Sequence, residues 1–504
     1  MKEPLKVMLW GEEVGRLVWN KRIHNTQFTY NPAFLKKGLD IAPLTASIKG
    51  AKGYFPVDGE DDKKYQKLPS FLSDSLPDDW GNQLFEQWRI NNKISNADIT
   101  PLEKLSFIGK RGMGALEFIP DTSYSSSKDK IDVKSLVDLA RRIFTEKEKV
   151  QILPDESLSM QSLIAVGTSA GGRQPKAILA INRNNGDIRS GQISGLEDYD
   201  YYIMKFGDPN RSSAELEMVY YEMCCAAHIN MMESKLMEVE GNKHFMTKRF
   251  DRIGNEKLYT QTIAALYPGT NSYEGLLSVC RKLKISEKDC EEVFRRMVFN
   301  VLAHNTDDHD KNFSFIMDKN GCWQLSPAYD MTFIFNTGGY QPQKERCFMI
   351  RGKLTDISKQ DVLDFAADNG IRRAEAIINE VVDAVRAFRE LAEKYAVKEQ
   401  WINCIETCLS SHLTEWGYRK ESSTEDDINM QLLEGYEVSN ARIEQMYKGN
   451  YHLLASIDGK EYKYIFSKGK KEHDFISHRG ISNISQKEIL QFIQEFLIPK
   501  IREK

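Results

Sequence analysis

The sequence predicts an α+β protein: a mixed α/β amino-terminal part, then a mostly helical part, then a small extra α+β region at the carboxyl end. Three observations predict it. Alternating apolar runs broken by turn residues dominate up to about residue 252. Beyond that point, 273–283, 287–304 and 371–394 place apolar residues at i, i+3 and i+4, the helical period. Finally, a charged, serine-rich run at 420–427 ends the helical pattern, and alternation returns after it.

Taken in order, residues 6–18 alternate around Gly11-Glu12 and predict a hairpin. The run L-P-S-F-L-S-D-S-L-P-D-D-W-G (68–81) opens with turn chemistry and leads into a helix from about Asn82 to Ile90. Pro101 to Ile108 predicts another helix, and G-M-G-A-L-E-F (112–118) a turn entering a strand. The polar stretch 123–129 reads as a linker. An apolar run at 162–166, a glycine-bearing segment from Gly167 to Lys176 and a second apolar run at 177–181 predict strand, loop and strand. Such a loop lets backbone N–H groups approach phosphates without side-chain obstruction, although a tight hairpin turn fits the same residues. Tyr201 to Phe206 predicts a strand carrying Lys205. Ser212 and Ser213 offer cap chemistry for a helix from about Ala214 to His228. Glu217 lies early in that helix and could pair with Lys205, with Glu215 and Glu222 as rivals. Phe245 to Arg252 predicts a strand running into a connection. The Gly-, Gln- and charge-rich segment 336–353 is expected to be loosely held. Near the end, 451–457 and 462–466 flank Asp458-Gly459 as a hairpin, followed by a helix from about 486 to 501.

The 504 residues exceed one ordinary domain. A net charge of −4 argues against a chain that grips nucleic acid alone. Apolar runs are short and interrupted by charges, and the amino terminus lacks the apolar stretch of a signal peptide. Eight cysteines without C-x-x-C spacing read as reduced thiols, so a cytoplasmic setting without a membrane is expected.

The chemistry concentrates in N-T-D-D-H-D-K-N-F-S (305–314) and L-S-P-A-Y-D (325–330). Asp307 and Asn312 stand five positions apart, the spacing with which protein kinases place a proton-accepting aspartate and a metal-binding asparagine. Asp330, at the end of an apolar stretch, can supply a further hard oxygen to Mg²⁺. A solvated acidic turn is the plainer reading of the first segment. Lys205, on its strand, can meet nucleotide phosphates as a point charge.

These motifs in this order resemble the HipA family, the serine/threonine kinase toxins of bacterial toxin–antitoxin operons, over roughly residues 5–420. The resemblance rests on 68–81, 112–118, S-A-G-G-R-Q-P-K-A (169–177), I-M-K-F (203–206), K-R-F-D-R (248–252), 305–314 and 325–330. It implies a two-lobed, protein-kinase-like fold: an N-terminal subdomain at 1–122, a kinase N-lobe with the glycine-rich loop at 130–252 and a helical C-lobe at 253–419. The tail at 428–504 has no counterpart. It further implies ATP and Mg²⁺ as cofactors, Asp307 as catalytic base with Lys311 beside it, and Asn312 and Asp330 as metal ligands. Nucleotide contacts would come from Gly167, Thr168, Ser169, Ala170, Gly171, Gly172, Lys176 and Lys205, with Lys248 and Phe250 at the hinge. Ser169 falls on the serine that the family phosphorylates on itself, which expels the loop and silences the enzyme. A phosphoserine adds about −1.5 to −2 charges beside the triphosphate. The implied partners are a helix-turn-helix antitoxin, through which DNA is reached only indirectly, and a translation component such as a glutamate-type aminoacyl-tRNA synthetase as substrate. This chain departs from the pattern at Arg173-Gln174, at Lys248 and at His228, where a glycine often ends the helix. A co-repressor module with little kinase activity and a small-molecule phosphotransferase are the alternatives.

Overall fold

The computed structural model describes residues 3–51, 53, 62–96, 99–122, 131–146, 161–164, 167, 174–192, 195–336, 341–418, 438–445, 450–467, 493 and 497–498. Residues 1–412 form one compact unit and 413–504 a second. The predicted linkers at 123–129 and 420–427, and Thr168, Ser169, Ala170, Gly171 and Gly172 of the predicted phosphate loop, lie outside the described residues. So does nearly all of the predicted helix at 486–501.

The first sheet is built from β1 (Leu5–Leu9), β2 (Glu12–Asn20), β3 (Asn25–Tyr30) and β4 (Leu116–Ile119) in the order β3-β2-β1-β4. Trp10 and Gly11, with φ of 49° and 83°, make the turn between β1 and β2, one residue ahead of the predicted position. Both angles positive is the twist that suits a two-residue hairpin. Leu5, Val7, Leu9, Leu17 and Phe28 point from this sheet into a core with Phe71 and Tyr259. The helix predicted from Asn82 starts earlier and spans Asp79–Asn91, because Asp78 caps it by accepting a hydrogen bond of 2.6 Å from the Gly81 amide. Pro101–Ile108 is helical as expected, opened by a capping box between Thr100 and Glu103.

A second, five-stranded sheet holds β5 (Lys176–Asn182), β6 (Ile188–Ser190), β7 (Tyr199–Lys205), β8 (Ser234–Val239) and β9 (Asn242–Lys248), ordered β6-β5-β7-β9-β8. Its two faces differ by the two-residue period of a strand. Ala177, Leu179, Tyr202, Met204 and Met246 pack under the helices Asp79–Asn91 and Val133–Glu146. Ile203, Lys205, Phe245 and Thr247 face the other way, into a cavity. The run before the glycine loop corrects the sequence expectation: 161–164 is helical, and the Gly167 amide donates 2.7 Å to the Leu163 carbonyl. A short buried apolar run has no periodicity with which to choose strand over helix.

The chain continues through a small hairpin, β10 (Arg252–Ile253) and β11 (Glu256–Lys257), and then a three-stranded sheet of β12 (Tyr259–Thr262), β13 (Ser314–Met317) and β14 (Trp323–Leu325). The helices Tyr273–Lys282 and Glu287–Leu302 lie between β12 and β13 in the chain, and Lys359–Asn369 follows β14. The stretch expected as one helix over 371–394 is two, Ala374–Arg386 and Phe388–Lys394, meeting at Ala387. Neither glycine nor proline marks that break. Glu399–Glu415 closes the helical set. Among the described residues of the second unit, β15 (Val438–Gln445), β16 (Asn450–Ile457) and β17 (Lys460–Ser467) form an antiparallel sheet, with the predicted turn at Asp458 and Gly459. None of the eight cysteines forms a disulfide. Among the described residues, no helix is long and apolar enough to cross a membrane.

Candidate active site

A cavity of about 400 Å³ opens between the inner face of the five-stranded sheet and the 305–314 loop. Its walls include Lys176, Lys205, Glu217, Lys248, Phe250, Asp307, Lys311, Asn312 and Asp330. The volume falls in the range of small-molecule sites.

Lys205 stands at the end of β7, directly opposite Lys176 on β5, so both side chains leave the same face. Its Nζ lies 2.5 Å from Glu217 Oε2 and also contacts Asp330 Oδ1. Of the three candidate glutamates, Glu217 is therefore the partner. Glu215 faces Lys243 at 3.8 Å, and Glu222 pairs with Lys394 at 3.1 Å. Burial works against charge on Lys205, yet the Asp330 and Glu217 carboxylates outweigh it and raise its pKa. Burial likewise opposes ionisation of Asp330, but Lys205 wins and holds the carboxyl below its ordinary range. At Glu217 burial prevails over Lys205, and the pKa rises.

The helix carrying Glu217 spans Ser213–Ala226, without the serine cap its sequence promised. Ser212 sits in the left-handed region at φ 50°. Its hydroxyl accepts from the Lys398 amide, while that of Ser213 accepts from the Asp208 amide. At the other end His228 takes φ 58°, the conformation a glycine adopts there without steric cost.

The loop 305–313 hangs between the helix Glu287–Leu302 and β13. Asn312 donates from Nδ2 to the Asp307 carbonyl at 2.7 Å, which turns its own carbonyl oxygen away from that bond. The Asp307 carboxylate is half exposed, 3.9 Å from His309 Nε2 and 3.9 Å from Cys347 Sγ. Partial burial and then the negative charges of Asp330 and Asp308 raise its pKa, with His309 opposing. Lys311 is exposed at the rim, and its carbonyl accepts 2.7 Å from the Tyr329 hydroxyl. Three bonds place the segment between β14 and Asp330. Arg296 reaches the Ser326 carbonyl at 2.8 Å, the Ser326 amide donates to Ser314 at 2.9 Å, and the Ala328 amide donates to Asn230 at 2.8 Å. Asp330 itself takes φ 55°, an uncommon angle for a residue with a Cβ.

Of the remaining described candidates, Lys176, Lys248 and Phe250 line the cavity and Gly167 does not. Lys248 is salt-bridged to Asp200 at 3.0 Å, and the Phe250 ring stacks on Tyr329 with centroids 5.6 Å apart. Lys176 is buried, and its Nζ meets Asp78 at 3.2 Å. Gly167 packs beside Leu84 and Trp80, where an added Cβ would lie 2.3 Å from Leu84.

Sequence reasoning missed several residues of the site. Asp78 was legible only as turn chemistry, yet it caps a helix and holds Lys176. Lys64 pairs with Asp310 of the loop. Asp308 is fully buried. It accepts from Tyr273 at 2.7 Å, Arg346 at 2.9 Å, the Cys347 amide at 2.9 Å and the Phe348 amide at 3.1 Å. The described part of the segment expected to be loose is therefore anchored on the residue beside Asp307. Asp307, Asn312 and Asp330 together offer hard oxygens suited to a magnesium ion, next to a lysine suited to phosphate.

Family models match the HipA N-terminal domain over residues 5–119 and the HipA-like C-terminal domain over 168–388. The chain belongs to the HipA family. Its fold is similar to that of HipA from Shewanella oneidensis MR-1, a toxin–antitoxin protein solved with HipB and its operator DNA. The TM-score is 0.56 at 16% identity, over 82% of this chain and 97% of that one. A slighter similarity joins it to the proinflammatory kinase CtkA of Helicobacter pylori, with a TM-score of 0.32 at 14% identity over 44% of this chain and 90% of that one.

Proposed function

We propose that the chain is an ATP- and Mg²⁺-dependent serine/threonine protein kinase. The observation that carries this reading is the Lys205 ammonium held between Glu217 and Asp330 in a cavity also lined by Asp307 and Asn312. Asp307 takes the proton of the acceptor hydroxyl as its oxygen bonds to the γ-phosphorus and the bond to the β-phosphate oxygen breaks. The Asn312 carbonyl oxygen and the Asp330 carboxylate would hold magnesium, which would supply charge neutralisation for the phosphates. Lys205 is kept cationic by its two carboxylates and orients the nucleotide. Lys311, at the rim, offsets charge on the group in transfer.

Self-phosphorylation at Ser169 and growth arrest through a phosphorylated translation component belong to the same proposal. A glutamate-type aminoacyl-tRNA synthetase is the first substrate to try. HipA of Shewanella oneidensis, solved with HipB and operator DNA, supports a DNA-binding antitoxin as the partner here. The test is phosphate transfer from radiolabelled ATP by the full chain. Asp307→Asn should abolish incorporation while ATP binding persists, and Ser169→Ala should remove the loop phosphate seen by mass spectrometry. Incorporation by Asp307→Asn at the parent rate would overturn the reading. In cells, expression should arrest growth and Asp307→Asn should relieve it.

A further inference from the structure

Immediately before the 305–314 loop in sequence, at His304, a second group of donors converges. Cys408 and His412 stand four positions apart on the helix Glu399–Glu415, and so share one face. His304 follows the helix Glu287–Leu302 at φ 55° and turns its ring onto the same spot. Its Nδ1 lies 2.9 Å from His412 Nε2, the two rings stack with centroids 5.1 Å apart, and Cys408 Sγ is 3.7 Å from His412 Nε2. One donor atom from each of the three residues lies within 4.8 Å of the other two.

We infer that His304, Cys408 and His412 bind one divalent transition-metal ion of the zinc class, at a site separate from the magnesium ligands. Donors on a tetrahedral zinc, with Zn–N near 2.0–2.1 Å and Zn–S near 2.3 Å, stand roughly 3.3–3.6 Å apart; the separations of 2.9 Å and 3.7 Å at His412 Nε2 bracket that range, and the third pair lies within 4.8 Å. Two imidazoles and a thiol are the soft-to-borderline set that selects zinc, copper or cobalt. With no carboxylate among them, magnesium and calcium are disfavoured. His304 is 8% exposed, while Cys408 and His412 are half-buried. An ion therefore has a way in, and water is the candidate fourth ligand. The protons balance. Cys408 gives its thiol proton to solvent as the metal–sulfur bond forms, and the proton shared by the two imidazoles moves to the far nitrogen of the ring that carried it.

The position gives the site a consequence. His304 lies three residues before Asp307. Its ring also packs on Phe333, 5.1 Å between centroids, three residues beyond Asp330. An ion tying His304 to the helix Glu399–Glu415 would brace the ends of both acidic segments at once.

The test uses the full, tag-free protein, reduced and stripped of metal, titrated with Co²⁺ as the spectroscopic substitute for Zn²⁺. One equivalent should bring up a thiolate-to-cobalt charge-transfer band in the near ultraviolet, and Zn²⁺ should bleach it. Cys408→Ser should lose the band, and His412→Ala should weaken binding by at least roughly tenfold. Cys347→Ser and Asp330→Asn should keep the band, which separates this site from the acids and the thiol beside Asp307. Absence of the band in the unaltered protein, or its survival in Cys408→Ser, overturns the assignment and leaves a hydrogen-bonded trio. No ATP enters the measurement, so its outcome is independent of the kinase reading.

Discussion

Lys205 Nζ and Glu217 Oε2 stand 2.5 Å apart, a strand end joined to a helix across the rim of the cavity. Because the same ammonium also holds Asp330, Lys205 links β7 and the helix that follows it to a residue 125 positions further on. Replacing it with methionine leaves two acids facing one another without a cation. We expect Lys205→Met to lower phosphoryl transfer by about 10²–10³, the scale for losing one charged group at a developing charge. Glu217→Gln should cost less, since Asp330 still holds the lysine. Steady-state rates beside calorimetric ATP binding check both. Equal losses from the two variants would contradict the ranking.

The pH profile follows from Asp307. In its proposed role of base it works deprotonated, and partial burial together with the Asp330 and Asp308 charges raises its pKa. The acid limb of kcat should therefore titrate above the usual aspartate value of about 3.9. His309 opposes the shift, so His309→Ala should move the limb to higher pH. A limb at or below the ordinary value would refute this.

Asp308 should matter for stability rather than for proton transfer. Its carboxylate is buried among the Tyr273 hydroxyl, the Arg346 guanidinium and the Cys347 and Phe348 amides. Asp308→Ala strands a buried arginine, a loss of roughly 3–5 kcal/mol for a broken buried pair. Urea denaturation measures that loss. Limited proteolysis should find new cleavage within 341–357, and an unchanged digest would mean the segment is held by other contacts.

Arg249 and Asp251 form a fully buried pair at 2.6 Å, and Asp251 also accepts from the Gly114 amide at 2.6 Å. Burial opposes ionisation of Asp251, but Arg249 outweighs it and brings the pKa to about 2. A folded value below the unfolded one, about 3.9, stabilises the protein above pH 3.9. That stabilisation drains away as pH falls toward 2. Asp251→Asn should flatten this part of the pH–stability curve in calorimetric melts. A curve of unchanged slope would remove the pair from the account.

Much of the fold was legible because it follows local rules. Trp10-Gly11 and Asp458-Gly459 turn where positive φ is needed, and Pro101–Ile108 begins where Thr100 and Glu103 can cap it. Short apolar runs carried less. The stretch 161–164 proved helical, and so short an apolar run is too brief for alternation to separate strand from helix. Asp308 looked like its exposed neighbours in an acidic string, and only the packing of Arg346 and Tyr273 around it marks it as interior. Glu215, Glu217 and Glu222 were equivalent on paper, since rotation about a helix becomes a choice of partner only when a strand is set beside it.

The sequence alone determined the five-residue step from Asp307 to Asn312, the motifs that carry membership of the HipA family, and the order of its elements. Those properties are written in spacing and in local backbone preference, which need no distant contact to be read. Tertiary structure decided that Lys205 takes Glu217 and Asp330, that Asp308 anchors the segment after Asn336, and that His304 meets Cys408 and His412. Each of these is a meeting of side chains far apart along the chain, and only packing brings them within bonding distance.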